Sequence, residues 1–393
     1  MPTDISRKTS LFTESVIREM TRRALQSGAV NLAQGFPDFP APLELKEAGK
    51  RAIDEDYNQY ALTHGSPNFR RAIAEKARAY NGIVCDPDLH LTVTCGATEA
   101  MVASLLAVIN PGDEIIIFEP FYENYGPDTI LAGATPRYVA LRGADYSIDR
   151  DELEAAFSAH TKAIVINTPH NPTGKVFARA ELELIASLCQ RFDTLAITDE
   201  IYERIIYDGA RHISIATLPG MADRTITISG LSKTYSVTGW RLGYTIACER
   251  LTSAIRKVHD FLTVGAPHPL QEAGAFALRM PESFYAELIA MYTRKRALLF
   301  DALTAAGLRC RVPQGAYYIT ADIGHWGFKD DYEAAGFLLD DVGVASVPGS
   351  SFYHRAELGR QMVRFTFSKS DETLARAAQR LSKLSDKLRS RAG

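Results

Sequence analysis

The sequence predicts an α/β fold with a mostly parallel central sheet flanked by helices, plus a smaller α+β part. Two observations indicate this fold. Short apolar runs rich in Val, Ile and Thr alternate with helix-like segments between about residues 89 and 248. After about residue 285, a long helical stretch leads into a few separate strands and helices. Buried strands that alternate with helices are typical of parallel sheets, which carry helices on both faces.

Six apolar runs are predicted to be strands of the central sheet. They lie at residues 89–94, 114–118, 163–167, 194–198, 225–228 and 244–248. Helices are expected at about 100–109 and 178–191, and the turn-forming residues 110–113 end the first of them. Further along, the pattern predicts a helix at about 281–306, a strand at 316–320, a helix near 331–341 and a strand at 362–367.

These elements divide the chain into unequal parts. We expect a large domain at residues 46–285 and a small domain at 286–393, with residues 1–45 packing against the small domain. Open parallel sheets bind ligands at the carboxyl ends of their strands. In this chain, Gly96, Asn167, Asp199 and Lys233 follow or end predicted strands, so this edge of the sheet is the expected site.

The composition excludes several classes of function. With a net charge of −3, the 393-residue chain has no broad basic surface for nucleic acid or an acidic membrane. Its apolar runs are much shorter than a membrane span, and its first residues do not resemble a signal peptide. Five scattered cysteines without CxxC spacing predict neither a zinc site nor disulfides. We therefore expect no metal and a cytoplasmic location.

The segment from Ser229 to Tyr244 holds one lysine, Lys233, among small and hydroxylated residues, and Arg241 follows it. A lysine whose pKa is lowered by burial or by a nearby cation can form a Schiff base with an aldehyde. The guanidinium of Arg241 can hold a phosphate dianion through two parallel hydrogen bonds. An aldehyde and a phosphate in a single ligand indicate pyridoxal 5'-phosphate (PLP).

Asp199 ends an apolar strand, and Tyr202 follows three residues later. The carboxylate of Asp199 can pair with the pyridinium nitrogen of PLP and so preserve the ring as an electron sink. Tyr202 can donate a hydrogen bond to the phenolic oxygen of the ring. Taken alone, an aspartate in this position is more typical of a helix N-cap.

A proline-rich loop from Asn167 to Gly174 follows another buried strand. Asn171 precedes a proline, which favours an extended backbone and lets the amide point into a cleft. There the amide can donate to the same phenolic oxygen. The alternative is an ordinary Asn-Pro turn.

Gly96, Ala97 and Thr98 connect a predicted strand to a predicted helix. Free N–H groups and the helix dipole at such a junction can bind a phosphate, although a plain turn is the alternative. The glycine motifs of dinucleotide-binding and P-loop proteins are absent from the sequence. Those two classes of nucleotide site therefore lose support.

Two further side chains complete a possible site. Tyr122 follows a buried strand and can stack on the cofactor ring, although aromatic residues in this position more often belong to the core. Arg364 lies within an alternating apolar strand and therefore needs an anionic partner. A substrate α-carboxylate can supply that anion, and an internal Asp or Glu is the alternative.

The chain resembles the class I/II aminotransferases of PLP fold type I over roughly residues 31–368. The resemblance rests on the strings at residues 31–40, 57–60, 167–174 and 199–202, and on Ser232-Lys233 with Gly239-Trp-Arg241. The string Gln34-Gly-Phe-Pro-Asp38 is most similar to the kynurenine/glutamine and methionine aminotransferase branch. The resemblance implies transfer of an amino group between an amino acid and a 2-oxo acid by a ping-pong mechanism.

The resemblance also implies a role for each matching residue. Lys233 would bind PLP and carry a proton between Cα and C4'. Asp199 would pair with the ring nitrogen, while Asn171 and Tyr202 would contact O3'. Tyr122 would stack on the ring.

At the phosphate, the resemblance implies Ala97, Thr98 and Arg241, with Ser232 adjacent and the partner subunit's Tyr60 reaching in. Each site would therefore be built from two chains of a homodimer. The substrate carboxylate would be received by Gly35, Asn171 and Arg364.

Charge near the site indicates the substrate. Aspartate-specific relatives use a second cation for the side-chain carboxylate. The segment His259–His268, which a partner subunit would supply, contains no Arg or Lys, and neither does the helix after Gly96. We therefore predict a neutral or aromatic L-amino acid, of the methionine, glutamine, aromatic or kynurenine type. His259 and His268 are either pocket residues or surface loop positions.

Several alternatives remain. An aspartate/2-oxoglutarate aminotransferase shares the same site plan. A PLP lyase or oxidase on the same scaffold, of the 1-aminocyclopropane-1-carboxylate synthase type, would not form pyridoxamine phosphate in a single turnover. A regulator built on the PLP fold would need a helix-turn-helix domain, for which no residues remain. A nicotinamide dehydrogenase would need the missing glycine motif.

Overall fold

The computed structural model describes residues 5–392 of the chain. Within them the strands are β1 (Val30–Asn31), β2 (Leu91–Thr94), β3 (Glu114–Glu119), β4 (Thr135–Arg142), β5 (Ser147–Ile148), β6 (Thr161–Asn167), β7 (Leu195–Asp199), β8 (Thr225–Gly230), β9 (Gly243–Ile246), β10 (Arg309–Cys310), β11 (Tyr318–Asp322), β12 (Val344–Ala345), β13 (Val347–Pro348) and β14 (Met362–Thr366). The α-helices are α1 (Val16–Ser27), α2 (Leu43–Asp54), α3 (Pro67–Lys76), α4 (Gly96–Val108), α5 (Tyr125–Ala132), α6 (Arg150–Ala156), α7 (Arg179–Arg191), α8 (Glu249–Thr263), α9 (His268–Leu278), α10 (Glu282–Ala305), α11 (Asp331–Phe337), α12 (Asp371–Leu381) and α13 (Leu384–Ala392).

The central sheet has the strand order β2-β9-β8-β7-β6-β3-β4-β5. The pairs β8–β7, β7–β6, β6–β3 and β3–β4 are parallel. β9 and β5 run antiparallel to their neighbours. The prediction of a mostly parallel sheet flanked by helices is confirmed, and all six predicted strands belong to it.

Side chains that alternate along each central strand explain why helices cover both faces. Ile115 and Ile117 of β3 belong to a hydrophobic cluster that includes α4. Ile116 and Phe118 of the same strand belong to the opposite cluster, which includes α7. Because neighbouring strand residues point to opposite faces, a continuous apolar run must be covered twice.

The C-terminal part contains a separate antiparallel sheet in the order β10-β11-β14-β13. Helix α1 packs beside it: Ile17, Met20 and Ala24 share one hydrophobic cluster with residues of β11 and β14. β1 then pairs with β12. The N-terminal segment therefore contacts the C-terminal part of the chain.

One local expectation was wrong. His259 lies in α8 and its side chain is buried, whereas the sequence had suggested a pocket residue or a surface loop. Its ring contacts Oε1 of Glu99 at 2.5 Å and the carbonyl of Thr63 at 2.8 Å. Only residues 264–267 separate α8 from α9, which begins at His268.

Among residues 5–392, no helix is long and apolar enough to cross a membrane. The five cysteines are all unpaired.

Candidate active site

The carboxyl ends of the central strands open into one pocket. β6 and β7 end side by side at Asn167 and Asp199, which are register partners. β8 leads directly into Ser232 and Lys233, which also line the pocket. The opposite wall comes from α1, from residues 34–36, and from β11 and β14. The volume of about 360 Å³ suits a small-molecule site.

The structure gathers most of the predicted site residues here. Those that line the pocket are Gly35, Ala97, Thr98, Tyr122, Asn171, Asp199, Tyr202, Ser232, Lys233, Arg241 and Arg364. Gly96 lies directly behind Arg241. Tyr60 does not line the pocket of its own chain, and 83% of its surface is exposed.

Lys233 is the lysine of this pocket. Burial lowers the pKa of its ammonium to about 8, and Arg241 and Arg364 act in the same direction while Asp199 opposes them. Nζ donates a long hydrogen bond of 3.4 Å to the carbonyl of Gly35. An amine with a lowered pKa is neutral more often and can therefore attack a carbonyl carbon.

Asp199 is buried at the end of β7. Its Oδ2 accepts a hydrogen bond from the hydroxyl of Tyr125 at 2.8 Å, and its Oδ1 accepts one from the amide of Ile201 at 3.2 Å. Burial raises the pKa of Asp199, and these hydrogen bonds oppose the rise. A turn follows Asp199 rather than an α-helix, so the alternative of a helix N-cap does not apply.

Asn171 and Arg364 form one unit. Nη1 of Arg364 donates to Oδ1 of Asn171 at 2.8 Å, and Nη2 donates to the carbonyl of Ala33 at 2.7 Å. Arg364 is buried, and its Nε has no hydrogen-bond partner in the described part of the chain, residues 5–392. It pairs with no Asp or Glu among the described residues, so the alternative of an internal acidic partner does not apply. A buried guanidinium without a carboxylate suits an anionic ligand.

The start of α4 can hold an anion. Gly96 has a φ of +85°, which favours glycine, and an added Cβ would overlap the guanidinium of Arg241. Arg241 is held from behind, because Nη1 donates to the carbonyl of Thr238 and Nη2 to that of Cys95, at 3.1 and 3.3 Å. The first N–H groups of a helix have no partners within the helix. Together with Arg241 they could hold an anion such as a phosphate group.

Other pocket residues escaped the sequence reasoning. Tyr125 lies three residues after Tyr122 in an aromatic string, which was the signal that could have revealed it. Arg18 lines the pocket from the first turn of α1. The carboxylate of Glu123 holds that turn in place, because it accepts from the Ser15 hydroxyl and from the Ile17 amide, at 2.5 and 3.2 Å.

A family model for aminotransferase class I and II matches residues 27–381. The chain belongs to the class I and II aminotransferases. The structure of N-succinyldiaminopimelate aminotransferase from Mycobacterium tuberculosis matches this aminotransferase with a TM-score of 0.94 and 38% identity, covering 97% of this chain and 100% of that one. Human kynurenine–oxoglutarate transaminase 1 is 36% identical over 93% of this chain and 94% of its own length.

The aspartate aminotransferase of Thermus thermophilus, whose structure was solved with maleate, is also similar to this aminotransferase. Its TM-score is 0.90 at 32% identity, covering 97% of this chain and 100% of that one. The predicted family, the fold type and the transfer of an amino group between an amino acid and a 2-oxo acid are therefore confirmed.

Enzymes of this family use PLP, and the pocket fits that cofactor. It offers a lysine with a lowered pKa for the aldehyde and a buried carboxyl for the ring nitrogen. It also offers Gly96 next to Arg241, where a phosphate would bind. Any larger residue at position 96 would place a Cβ against the guanidinium of Arg241.

Proposed function

We propose that this aminotransferase takes the amino group of a neutral or aromatic L-amino acid. The observation that carries the proposal is the remaining pocket lining. Beyond the residues assigned to PLP and to the carboxylate, it includes Ile17, Phe36 and Met101, which offer apolar surface to a substrate side chain. The carboxylate of Glu123 also borders the pocket and would repel an acidic side chain, whereas burial raises the pKa of the neighbouring Asp128 carboxyl to about 7 and so weakens its charge.

Within this proposal, each pocket residue has a defined task at the cofactor. PLP, when bound, supplies the electron sink that stabilises negative charge at the substrate Cα. We assign Asp199 to the ring nitrogen, and Asn171 and Tyr202 to the ring oxygen. Lys233 takes the proton from Cα and returns it at C4', because its lowered pKa favours the neutral amine.

At the other end of the substrate, we assign the α-carboxylate to Arg364 and to the amide of Gly35. Asn171 keeps the guanidinium of Arg364 oriented through the hydrogen bond at 2.8 Å. An added Cβ at Gly35 would overlap the hydroxyl of Tyr318, so only glycine fits there. The phosphate is assigned to Ala97, Thr98 and Arg241, with Ser232 adjacent.

A panel of amino donors tests this proposal. The kcat/KM values of methionine, glutamine, phenylalanine and kynurenine should exceed that of aspartate. A higher value for aspartate than for all four would overturn the neutral-substrate assignment.

A second candidate is the use of a dicarboxylic substrate, as in an aspartate/2-oxoglutarate aminotransferase. The observation that favours it is Arg18. Its exposed guanidinium lines the pocket and forms no ion pair within residues 5–392. A distal carboxylate could bind there while the α-carboxylate occupies Arg364.

We also propose a homodimer in which the partner subunit's Tyr60 completes the phosphate site. Exposed apolar and aromatic side chains on two segments support this, namely Tyr57, Tyr60, Leu62, Phe261, Leu262 and Val264. Phe261 is 92% exposed. Exposure of this kind is typical of an interaction surface.

Mixing two inactive variants tests the shared site. Lys233→Ala and Tyr60→Ala subunits, unfolded and refolded together, should recover about a quarter of wild-type activity, because half of the dimers are mixed and each has one complete site. Each variant alone should stay well below that value. No recovery on mixing, with dimers confirmed by light scattering, would contradict the shared site.

Two further expectations remain proposals. We propose a large domain at residues 46–285 and a small domain at 286–393, with residues 1–45 joined to the latter; residues 1–4 and 393 lie outside the described part of the chain. The packing of α1 against β11 and β14 supports this proposal. We also propose a cytoplasmic location, which the unpaired cysteines support. Limited proteolysis tests the domain boundaries, and cell fractionation tests the cytoplasmic location.

A further inference from the structure

Two carbonyl groups in the segment that carries Gly35, those of Ala33 and of Gly35 itself, accept hydrogen bonds from the C-terminal part of the chain. Ala33 accepts from Nη2 of Arg364 at 2.7 Å. Gly35 accepts from the hydroxyl of Tyr317 at 2.8 Å. The segment that carries Gly35 is therefore shaped by donors on β14 and next to β11.

The neighbouring carbonyls, those of Gln34 and Phe36, share a single donor. Nζ of Lys369 donates to Gln34 at 3.2 Å and to Phe36 at 2.9 Å. Gly35 lies between these two residues. Gln34, Gly35 and Phe36 all line the pocket, but Lys369 does not, and only 2% of its surface is exposed. The ammonium of Lys369 thus holds the segment from behind.

Arg364 and Lys369 belong to one continuous stretch of chain. Arg364 lies on β14, which ends at Thr366, and Lys369 follows three residues later. Arg364 therefore binds the segment at the carbonyl of Ala33, and Lys369 binds it at the carbonyls on both sides of Gly35. The relative position of Gly35 and Arg364 depends on both sets of hydrogen bonds.

We infer that Lys369 is a positioning residue for the substrate carboxylate, because its ammonium keeps the Gly35 amide next to the guanidinium of Arg364. This inference rests on the proposed roles of Gly35 and Arg364. Lys369 would not touch the substrate. It would act by fixing the backbone that does.

An ammonium suits this task better than a neutral side chain. It has three donors, so it can hold two carbonyls at once. Its charge also shortens and strengthens such hydrogen bonds. Nζ lies 4.4 Å from the ring centroid of Phe36, so the aromatic ring contributes as well.

The cost of burying this charge indicates a specific purpose. Burial lowers the pKa of Lys369 to about 8, and Asp38 opposes the lowering. No carboxylate among the described residues forms an ion pair with Nζ. Lys295 donates to the backbone carbonyl of Lys369 at 2.6 Å, and its own charge is paired with Asp371 at 2.7 Å. Burying an ammonium group that has carbonyl partners but no carboxylate costs free energy. The ordering of the segment around Gly35 is the benefit that we associate with that cost.

The test compares two amino donors that differ only in the α-carboxylate. One donor is the amino acid of the panel with the highest kcat/KM, and the other is the amine that lacks its carboxylate. For phenylalanine the pair is L-phenylalanine and 2-phenylethylamine. In the Lys369→Met holoenzyme, the single-turnover rate with the amino acid should fall roughly tenfold, the effect of losing a charge-assisted hydrogen bond. The rate with the amine should stay within about twofold.

Equilibrium binding gives a second readout. A non-reacting carboxylate such as 3-phenylpropionate, titrated against the holoenzyme, should bind roughly tenfold more weakly to Lys369→Met. Lys369→Arg, which keeps the charge and several donors, should recover most of the affinity.

Lys76→Met is the matched control. This lysine is also buried, and it pairs with Glu203 but contacts neither Gln34 nor Phe36 nor Lys369. The control should lose thermal stability while it keeps the preference for the amino acid over the amine. Equal losses for acid and amine in Lys369→Met, or no loss for either, would overturn the inference.

Failure of the proposed function has a different signature. If Arg364→Gln slows the amino acid and the amine equally, the carboxylate does not bind at Arg364, whatever Lys369 does. If Arg364→Gln slows the amino acid alone but Lys369→Met does not, only the inference about Lys369 is wrong.

Discussion

The hydroxyl of Tyr125 donates a 2.8 Å hydrogen bond to Oδ2 of Asp199, and both side chains are buried. Burial raises the pKa of Asp199, and the hydrogen bond from Tyr125 lowers it. The tyrosine therefore helps to keep the carboxylate ionised, which is the form that can stabilise a protonated ring nitrogen.

Replacing Tyr125 with phenylalanine should raise the pKa of Asp199 further and weaken that pairing. We expect the single-turnover rate to fall about tenfold, as for loss of a hydrogen bond to a charged group. Tyr207→Phe is the control, because that buried hydroxyl donates to the carbonyl of Ala316 outside the pocket. Equal rates in Tyr125→Phe and wild type would contradict the role of this hydrogen bond.

Gly96 should be required for cofactor affinity. Alanine at this position would adopt an unfavourable φ of +85° and push against Arg241. We expect Gly96→Ala to weaken PLP binding by roughly tenfold or more, measured by titrating the apoenzyme. Gly133→Ala separates backbone strain from steric contact. Its φ is +94°, but an added Cβ meets no atom of the described residues within 4 Å. Identical PLP affinities in the two variants would argue against a phosphate site beside Gly96.

Arg18 should decide between the two substrate candidates. If its guanidinium binds a distal carboxylate, Arg18→Gln should raise KM for 2-oxoglutarate about tenfold and leave KM for methionine unchanged. Arg22→Gln is the control, because Arg22 lies on the same helix but pairs with Glu14 at 3.1 Å and does not line the pocket. Equal effects of Arg18→Gln on both substrates would exclude this role.

The lowered pKa of Lys233 predicts a pH dependence for the apoenzyme. Burial disfavours the ammonium, so the neutral amine forms at a lower pH than in an ordinary lysine. Imine formation with pyridine-4-carboxaldehyde, which has no phosphate to titrate, should accelerate as pH rises and level off above about pH 8. A midpoint near the ordinary value of 10.5 would show that the pocket does not tune this lysine.

Sequence reasoning located the sheet-edge residues for a physical reason. In a parallel sheet the carboxyl ends of neighbouring strands share an edge. Asn167 and Asp199 are register partners, so a residue that ends a predicted strand is placed almost as soon as the strand is recognised. Arg364 could be singled out because a charge within an apolar strand needs a partner.

Other parts of the site depend on packing between distant segments. Glu123 brings the first turn of α1 to the pocket through Ser15, which is 108 positions away in the chain. Arg18 lies in the same turn and therefore also reaches the pocket. Neither the charge pattern nor the residue spacing of the sequence predicts that position. The misplaced His259 has a similar cause, since its burial reflects contacts with Glu99 and Thr63. Tyr60 depends on a second chain, which one sequence cannot position.

The central claim is that Lys233 binds the cofactor in the pocket at the sheet edge. Borohydride reduction of the holoenzyme, followed by proteolysis and mass spectrometry, tests it most directly. The reduction makes the lysine–cofactor bond permanent, so the labelled peptide identifies the residue. We predict a single phosphopyridoxyl group on the peptide that contains Lys233, and none in Lys233→Ala. A label on another lysine, or a labelled Lys233→Ala protein, would contradict the account.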